Sequence, residues 1–377
     1  MATWYVNGTT GADTDDGKWA VPLAPGYGPF ATIAAALTAS AAYDVIYIAG
    51  GVYDAPNTTG WAITKSLTII GEGAGNSTTL GTILRRTDAT SGPVLDIQVT
   101  GGTTMNGLTL RGFRIQRQTT ASSFTSGDYG IKCALTATSS TKLTNLLIDQ
   151  VTIVGMRDTG IYMAGNTASD TFFIFPRFLN VTVQECYQRG VYFFDSAFSG
   201  EGSSILLYME SCYVKDNQLE GVIIHECLAG TIINCAFENN CLDDASIDTS
   251  LGGQVRLRTS HNMSFIGCDF ENFTNASQTR AKKALVNENG RALYVQNCNF
   301  ANASAADEDG TQRCIKIYTG SAADMHCFIG PCSVDTTSNF LEVVGDASKV
   351  IYTEPFVFSG TIPANTITGK AKRLPWR

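Results

Sequence analysis

The sequence predicts an all-β fold, a parallel β-helix in which each turn of the chain forms one coil of a solenoid. Two observations predict this fold. Similar segments recur about every thirty residues, and apolar and polar residues alternate inside each copy. The composition agrees, because only 16% of the residues are charged and 37 are glycine, which is typical of strand-rich proteins rather than of helical ones.

The repeat is clearest in the middle of the chain. "QVTIVGMRDTGIYM" (150–163) aligns without a gap with "NVTVQECYQRGVYF" (180–193), and "SCYVKDNQLEGVII" (211–224) follows 31 residues after that. Each copy holds two apolar residues one position apart, and a glycine with an apolar neighbour follows seven residues later. Period-2 alternation indicates short strands. The consensus of leucine-rich repeats is missing, and the i, i+3, i+4 spacing of helical repeats is missing too.

A second motif places a cysteine two residues before a phenylalanine in three successive copies. The copies are "NCAFENN" (234–240), "GCDFENF" (267–273) and "NCNFANA" (297–303). Equivalent residues of neighbouring coils lie about 4.8 Å apart in a parallel β-helix. We therefore expect Cys235, Cys268 and Cys298 to form one buried column and the phenylalanines another. Asparagine before the cysteine suits a corner, because it tolerates a left-handed backbone.

The net charge, the apolar stretches and the cysteine spacing exclude several classes of function. A net charge of −8 argues against nucleic-acid binding, and no apolar stretch is long enough to span a membrane. The opening "MATWYVNGTTGADTDDG" lacks the features of a secretory signal, so we expect synthesis in a reducing cytosol. The 11 cysteines show no zinc-binding spacing, and we expect them to be buried thiols. We expect no metal and no cofactor.

The ends of the chain differ from its middle. In "GPFATIAAALTASAAYDVIYIAGGVYD" (28–54), Phe30, Ile33 and Leu37 share one helical face after Pro29, and an alternating strand follows. We expect residues 1–60 to form an N-terminal cap, with a capping helix, and the first coil. Residues 61–345 would form the β-helix, and residues 346–377 a C-terminal cap or an arm that contacts another subunit.

The N-terminal segment also resembles a known family. "YVNGTTGADTDDG…GPFATIAAAL…DVIYIAGGVYD" is similar to the cap and first coil of right-handed β-helix proteins of the pectate-lyase-like superfamily, and the similarity in layout covers most of the chain. The family includes polysaccharide lyases, hydrolases and phage tailspikes. The resemblance implies a right-handed, single-stranded β-helix. It leaves the activity open, because binding and catalytic members share the fold.

Its resemblance to phage proteins implies a virion structural protein: a tailspike, a tail appendage or a capsid-decorating protein. Such a protein would be a homotrimer in the virion, in contact with other virion proteins, and would present a face to host cell-surface polysaccharide or to neighbouring subunits. The first alternative is a polysaccharide-degrading enzyme, a hydrolase or a lyase. The second is a bacterial extracellular or adhesin module.

The aligned repeats suggest one pair of catalytic carboxyl groups. Asp195 follows "GVYFF" and lies 31 residues before Glu226, which follows "GVIIH". We expect the two carboxyl groups to stack on adjacent coils, about 5 Å apart, which is the separation used by retaining glycosidases. His225 would serve as a proton carrier. The structural alternative is a pair of solvated acids at a turn.

Four aromatic residues lie near the corner where the repeats vary most in length. They are Tyr162, Tyr192, Phe194 and Tyr208. Insertions at one corner usually mark the functional face of a solenoid, so we expect those that are exposed to stack on sugar rings. The alternative is that they belong to the core.

Two further polar segments are candidates for a catalytic or a calcium site. "CLDDASID" contains Asp243, Asp244 and Asp248, and it precedes His261 and the segment 313–316. This order resembles the Asp pair, Gly-His-Gly and Arg-Ile-Lys of polygalacturonase-like proteins, but the residues flanking the histidine differ and a cysteine is inserted after Arg313.

"GADTDDG" (11–17), with Asp13, Asp15 and Asp16, resembles part of a calcium loop but lacks its bidentate glutamate. A solvated turn is the favoured interpretation.

Overall fold

A computed structural model shows the predicted right-handed parallel β-helix. It describes residues 1–56, 58–75, 81–87, 91–99, 102–119, 123–135, 141–165, 172–194, 204–242, 253–271, 283–301, 313–318, 327–335, 339–344, 350–353, 357–358, 367–368 and 372–374. The chain divides into two compact units, Met1–Tyr187 and Gln188–Arg377. Each unit is described by itself.

The first unit contains one helix and sixteen strands in its described residues. They are β1 (Thr3–Val6), α1 (Ile33–Ala39), β2 (Val45–Ile48), β3 (Gly51–Asp54), β4 (Trp61–Ile63), β5 (Thr68–Gly71), β6 (Thr82–Arg86), β7 (Leu95–Val99), β8 (Thr104–Asn106), β9 (Thr109–Arg117), β10 (Ile131–Leu135), β11 (Lys142–Thr144), β12 (Leu147–Val154), β13 (Ile161–Ala164), β14 (Phe172–Ile174), β15 (Arg177–Leu179) and β16 (Thr182–Gln184).

These strands stack in parallel ladders. One ladder runs through β4, β7, β10 and β13, and a second runs through β8, β11 and β14. The third contains β1, β2, β5, β9, β12 and β15, and β3, β6 and β16 join it. Strands of successive coils therefore lie over one another in each ladder, and the apolar side chains point into the space between the ladders.

The second unit repeats this plan. Its strands are β17 (Val191–Phe194), β18 (Ser204–Ile205), β19 (Leu207–Glu210), β20 (Tyr213–Lys215), β21 (Val222–His225), β22 (Gly230–Ile233), β23 (Ala236–Glu238), β24 (Gly253–Arg258), β25 (His261–Ile266), β26 (Asp269–Glu271), β27 (Lys283–Glu288), β28 (Arg291–Gln296), β29 (Asn299–Ala301), β30 (Arg313–Tyr318), β31 (Cys327–Ile329), β32 (Ser333–Asp335), β33 (Asn339–Val344), β34 (Val350–Thr353), β35 (Val357–Phe358), β36 (Ile367–Thr368) and β37 (Lys372–Leu374).

Three parallel ladders organise these strands. The first contains β17, β21, β24, β27, β30, β33 and β36. The second contains β19, β22, β25, β28, β31, β34 and β37. The third contains β20, β23, β26, β29, β32 and β35. The last strands extend the ladders beyond the predicted boundary at residue 345, and the role of residues 346–377 as a cap or arm stays a prediction.

The cysteine column is confirmed. In the third ladder, a cysteine lies just before a strand, and its carbonyl accepts a hydrogen bond from the next strand of the ladder. The amides of Ala236, Asp269, Asn299 and Ser333 donate to the carbonyls of Cys212, Cys235, Cys268 and Cys298, respectively, at 2.8–2.9 Å. Their side chains are almost fully buried, and all 11 cysteines of the chain are free thiols in buried positions. Burial also raises the pKa of thiols such as Cys314, to about 12, so these sulfurs act as small apolar groups.

A column of phenylalanine rings lies beside the sulfurs. Phe270 stacks on Phe237 with ring centroids 5.2 Å apart, and on Phe300 with centroids 4.9 Å apart. The strand register pairs the same three residues. Small sulfurs next to large rings fill each layer without voids, which explains why the Cys-x-Phe motif returns in each coil.

The predicted left-handed corners are also present. Asn180, Asn234 and Asn297 have φ angles of 53°, 50° and 54°, and Gly267 occupies the same corner with φ 63°. The regular spacing of the glycines has a different cause. A Cβ atom at Gly190 would lie 2.5 Å from Cγ1 of Val214, so the close approach of the neighbouring coil requires glycine there.

The N-terminal segment differs from the prediction in one detail. Helix α1 begins at Ile33, where the side chain of Thr32 accepts a hydrogen bond from the amide of Ala35. Phe30 therefore precedes the helix and forms a parallel bridge with Val6. The strand after the helix is confirmed, and the role of residues 1–60 as a cap stays a prediction.

No helix among the described residues is long and apolar enough to cross a membrane.

The phenylalanine column leads to a stability prediction. Replacing Phe270 by alanine leaves a cavity between two rings, so we expect the second unit to lose about 3–5 kcal/mol of stability. Gln296→Ala, at an exposed position of β28, is the matched control and should cost less than about 0.5 kcal/mol. Urea denaturation followed by circular dichroism measures both. Equal midpoints for the two variants would contradict the stacked core.

Candidate functional site

Polar side chains concentrate on the outer face of the first ladder of the second unit. The inward residues of β21, β24 and β27 are mostly apolar, with the buried Asn287 among the exceptions, and the residues between them point away from the core. Two outward columns result. One contains Tyr192, Ile223, Arg256, Val286 and Lys316, and the other contains His225, Arg258, Glu288 and Tyr318. We call the polar members of these columns, together with Arg189 and Glu220, the charged face.

Arg256 lies at the centre of the charged face. Its Nε atom donates to Oε1 of Glu288, and its Nη1 atom lies 3.4 Å from Oε1 of Glu220. Arg189 also donates to Glu220, through its Nε atom at 3.0 Å. Arg256 is only 9% exposed. Burial lowers the pKa of its guanidinium, but the hydrogen bond and the charges of the two glutamates outweigh burial and raise the pKa.

This network fixes the orientation of its members. Removing one partner of a buried ion pair typically costs about 3–5 kcal/mol, because the other charge is left without compensation. The guanidinium groups and carboxylates are therefore held in one arrangement before any ligand arrives. Preorganised planar groups of this kind bind hydroxyl and carboxylate groups at a low entropic cost.

Arg258 is the most exposed arginine of the charged face, and Tyr192 is half-buried. The side chain of Arg258 is 41% exposed, and its Nε atom lies 3.6 Å from Oε2 of Glu288. Cζ of Arg189 lies 5.0 Å from the ring centroid of Tyr192. Burial raises the pKa of the Tyr192 hydroxyl, so that it stays protonated. The charged face thus combines an aromatic ring with forked hydrogen-bond donors and acceptors.

His225 and Glu226 meet at the end of β21. Nε2 of His225 lies 3.6 Å from Oε1 of Glu226, and both side chains are 14% exposed. Burial, reinforced by the charges of Arg258 and Arg256, lowers the pKa of His225 to about 4. The imidazole is therefore neutral at pH 7, where it can accept a proton but holds it weakly.

Glu226 occupies a left-handed corner. Its φ angle is 54°, and its amide donates to the carbonyl of Arg258 at 2.9 Å. Thr259 and Asn289 fill the same corner in the next two coils, with φ angles of 46° and 56°. Asp195 lies outside the described residues. The pairing of Val191 with Val222 matches the 31-residue shift on which the Asp195–Glu226 pair depends, and the pair itself stays a prediction.

The four aromatic candidates do not form one cluster. Tyr192 lies on the charged face, whereas Tyr208 lies on the second ladder, where its hydroxyl donates to Glu210 at 2.8 Å. Phe194 is the last residue of β17, and its side chain lies outside the described part of the structure.

Tyr162 belongs to the first unit. Its ring stacks on Tyr129 with centroids 4.5 Å apart, and it pairs in register with Lys132. Nζ of Lys132 lies 3.5 Å from Oδ1 of Asp96, which also accepts a hydrogen bond at 2.7 Å from Gln98 through Oδ2. This is a second polar patch beside an aromatic pair, on the outer side of the ladder of β7, β10 and β13.

The polygalacturonase-like order of residues does not form one site in the described structure. Asp243, Asp244 and Asp248 lie outside the described residues. His261 lies on the second ladder and Lys316 on the first, so the structure does not bring these two residues together.

Asp13 serves the turn before α1: Oδ1 accepts from the amides of Ala31 and Thr32 at 2.9 Å. Within the part of the chain that the structure describes, no group of three His, Cys, Asp or Glu side chains is placed to hold a metal ion.

Sequence reasoning missed Arg256, Glu288 and Glu220. Segments 253–258 and 283–288 lie 30 residues apart, and that shift would have aligned them. They lack the Gly-apolar pair of the earlier copies, so the motif did not extend to them. The signal that remained was the presence of Arg and Glu inside apolar strands.

Comparisons with known proteins agree with this architecture. The family model described as "Right handed beta helix region" matches residues 159–353, more than half of the chain. No curated protein matches the chain in sequence.

Several solved structures share the fold at low identity. Tailspike protein 2 of the Escherichia coli O157:H7 bacteriophage CAB120 is 13% identical with a TM-score of 0.56, over 81% of this chain and 38% of the tailspike. The A-module of the mannuronan C-5 epimerase AlgE4 of Azotobacter vinelandii is 10% identical with a TM-score of 0.55, over 89% and 91%. DFA-IIIase of Arthrobacter chlorophenolicus A6 is 11% identical with a TM-score of 0.54, over 86% and 76%. The chain thus spans well under half of the tailspike.

The pKa of His225 leads to a testable pH dependence. The unfolded chain binds a proton to this histidine below about pH 6.5, whereas the folded chain resists protonation down to about pH 4. Stability should therefore fall as the pH drops from 6.5 to 4, and His225→Gln should flatten that part of the curve. Ring-proton NMR should place the midpoint of His225 near 4, with the variant used to assign the signal. A midpoint near 6.5 would contradict the buried, arginine-flanked position.

Proposed function

Because the chain belongs to the family of right-handed β-helix proteins, we propose that it binds a polysaccharide of the host cell surface as a structural protein of a phage particle. The observation that carries the proposal is the charged face. It offers the exposed Arg258 beside Tyr192 and a largely buried network of arginine and glutamate groups on one parallel ladder.

The chemistry of the charged face suits a sugar chain. Guanidinium and carboxylate groups form paired hydrogen bonds with neighbouring hydroxyl groups, and the ring of Tyr192 offers an apolar surface to the C–H face of a sugar. The network of Arg256 with Glu220 and Glu288 holds the site in position. Arg258, with a side chain that is 41% exposed, would make the most direct contact.

The virion role has a separate basis. A phage tailspike is among the solved structures of similar fold, and the sequence resembles phage members of the superfamily. We propose a tailspike, tail appendage or capsid-decorating protein that assembles as a homotrimer with other virion proteins. We expect the protein to be present at a fixed stoichiometry in purified phage particles. Its absence from the particles would refute the virion role.

A polysaccharide-degrading enzyme is the second candidate. One observation favours it: Nε2 of His225 lies 3.6 Å from Oε1 of Glu226, beside Arg258, so that an imidazole and a carboxyl group meet at one strand end. With Asp195 on the preceding coil, these residues would cleave a glycosidic bond. Such an enzyme would also bind the polysaccharide, because cleavage requires a bound sugar chain.

One experiment tests binding and cleavage together. Purified protein is mixed with a panel of bacterial capsular and lipopolysaccharide O-chain polysaccharides, and both binding and released reducing ends are measured. We expect at least one polysaccharide to bind and Arg258→Gln to weaken its binding about tenfold or more. Arg291→Gln, which removes an exposed arginine from another ladder, is the matched control and should bind like the unmodified protein.

The outcomes separate the two candidates. Binding without release of reducing ends supports the structural role, whereas release that disappears in Glu226→Gln supports the enzyme. If no polysaccharide binds, or if Arg258→Gln binds as tightly as the unmodified protein, the assignment of the charged face is wrong.

A further inference from the structure

The second ladder of the second unit carries an outward column of different chemistry. The register of β19, β22, β25, β28 and β31 places one side chain from each strand in a row. The row consists of Tyr208, Thr231, Ser264, Tyr294 and Phe328. We call it the aromatic strip.

The aromatic strip exposes rings where a solvated strand would normally carry polar side chains. Tyr294 is 51% exposed, and its ring centroid lies 5.4 Å from that of Phe328, with the rings inclined at 36°. Both residues sit in regular strands, so their exposure is not a result of an irregular loop. Contiguous exposed apolar surface is typical of binding sites, and the exposed Tyr294 and half-buried Phe328 form such a contiguous pair.

No carboxylate, ammonium, guanidinium or imidazole group belongs to the strip. Tyr208 donates its hydroxyl to Glu210 at 2.8 Å, and this hydrogen bond, followed by burial, raises the pKa of the phenol. The neighbouring outward column contains Glu210, Ile233, Ile266 and Gln296, so its acidic member would repel an acidic chain and these four residues include no cation. A charged ligand would find no opposite charge within the row, so the surface suits an uncharged one.

The spacing of the strip matches one class of uncharged ligand. Successive members lie about 4.8 Å apart, close to the length of one residue in an extended pyranose chain, and Tyr208 and Tyr294 are three strands apart, roughly 14 Å. Rings at both ends would stack on sugar faces. The hydroxyl groups of Thr231 and Ser264 between them would exchange hydrogen bonds with those of the sugar.

We infer that the aromatic strip is a second polysaccharide-binding site, separate from the charged face, and that it takes extended, uncharged pyranose chains such as β-1,4-linked glucans or mannans. The inference rests on the proposed function, since it assumes that the protein binds polysaccharides. The inference adds a binding site on a second ladder and a second class of ligand. A polysaccharide with charged and neutral stretches would engage both faces.

The test uses oligosaccharides of defined shape and charge. Binding of cellohexaose, mannohexaose, maltohexaose and hexagalacturonate to the full chain is measured by isothermal titration calorimetry. We expect an extended neutral hexasaccharide to bind more tightly than curved maltohexaose and than acidic hexagalacturonate. Tyr294→Ala and Phe328→Ala should each weaken that binding about tenfold. Tyr27→Ala removes an equally exposed tyrosine from the N-terminal segment and should change it less than about twofold.

The variants distinguish this inference from the proposed function. Tyr294→Ala should weaken hexasaccharide binding and leave intact the binding of any polysaccharide that depends on Arg258. Failure of the aromatic strip is therefore distinguishable from failure of the charged face. The inference is overturned if neither cellohexaose nor mannohexaose binds. It is also overturned if Tyr294→Ala binds them as tightly as the unmodified protein, or if hexagalacturonate binds best and depends on Tyr294.

Discussion

The in-register hydrogen bonding of parallel strands is the constraint on which this structure depends. Each residue of a coil lies directly over its counterpart in the coil before it, at the spacing of neighbouring strands. A buried side chain therefore has to pack against the same or a similar side chain in the next coil. The columns of cysteine, phenylalanine and left-handed asparagine are the direct result, because each satisfies packing or backbone geometry in coil after coil.

This constraint explains what could be predicted from the sequence. Buried columns repeat, so the register of Phe237, Phe270 and Phe300 was readable from spacing alone. The outer faces carry no such requirement. Arg256 and Glu288 belong to adjacent columns and neither repeats, so only the full strand register brings them together. Phe30 was misplaced because an apolar residue next to a helix fits helical periodicity equally well, whereas its bridge to Val6 is a tertiary contact.

The candidate sites differ because the ladders are chemically independent. Within a unit, the inward positions of the ladders share one core, but the outward positions of each ladder face a separate surface. The first ladder of the second unit carries ion pairs around Arg256, whereas the second ladder carries uncharged rings at Tyr294 and Phe328. A solenoid can in this way hold several binding surfaces without changing its core, which agrees with the variety of activities that share this fold.

The column of sulfur atoms offers the most direct test of the register. A crystal diffraction experiment at a wavelength that enhances anomalous scattering from sulfur locates each cysteine without reference to any assumed backbone. The account predicts five peaks in a line for Cys212, Cys235, Cys268, Cys298 and Cys332, each about one strand spacing from the next. Peaks for Cys235, Cys268 and Cys298 in separate regions of the molecule would contradict it.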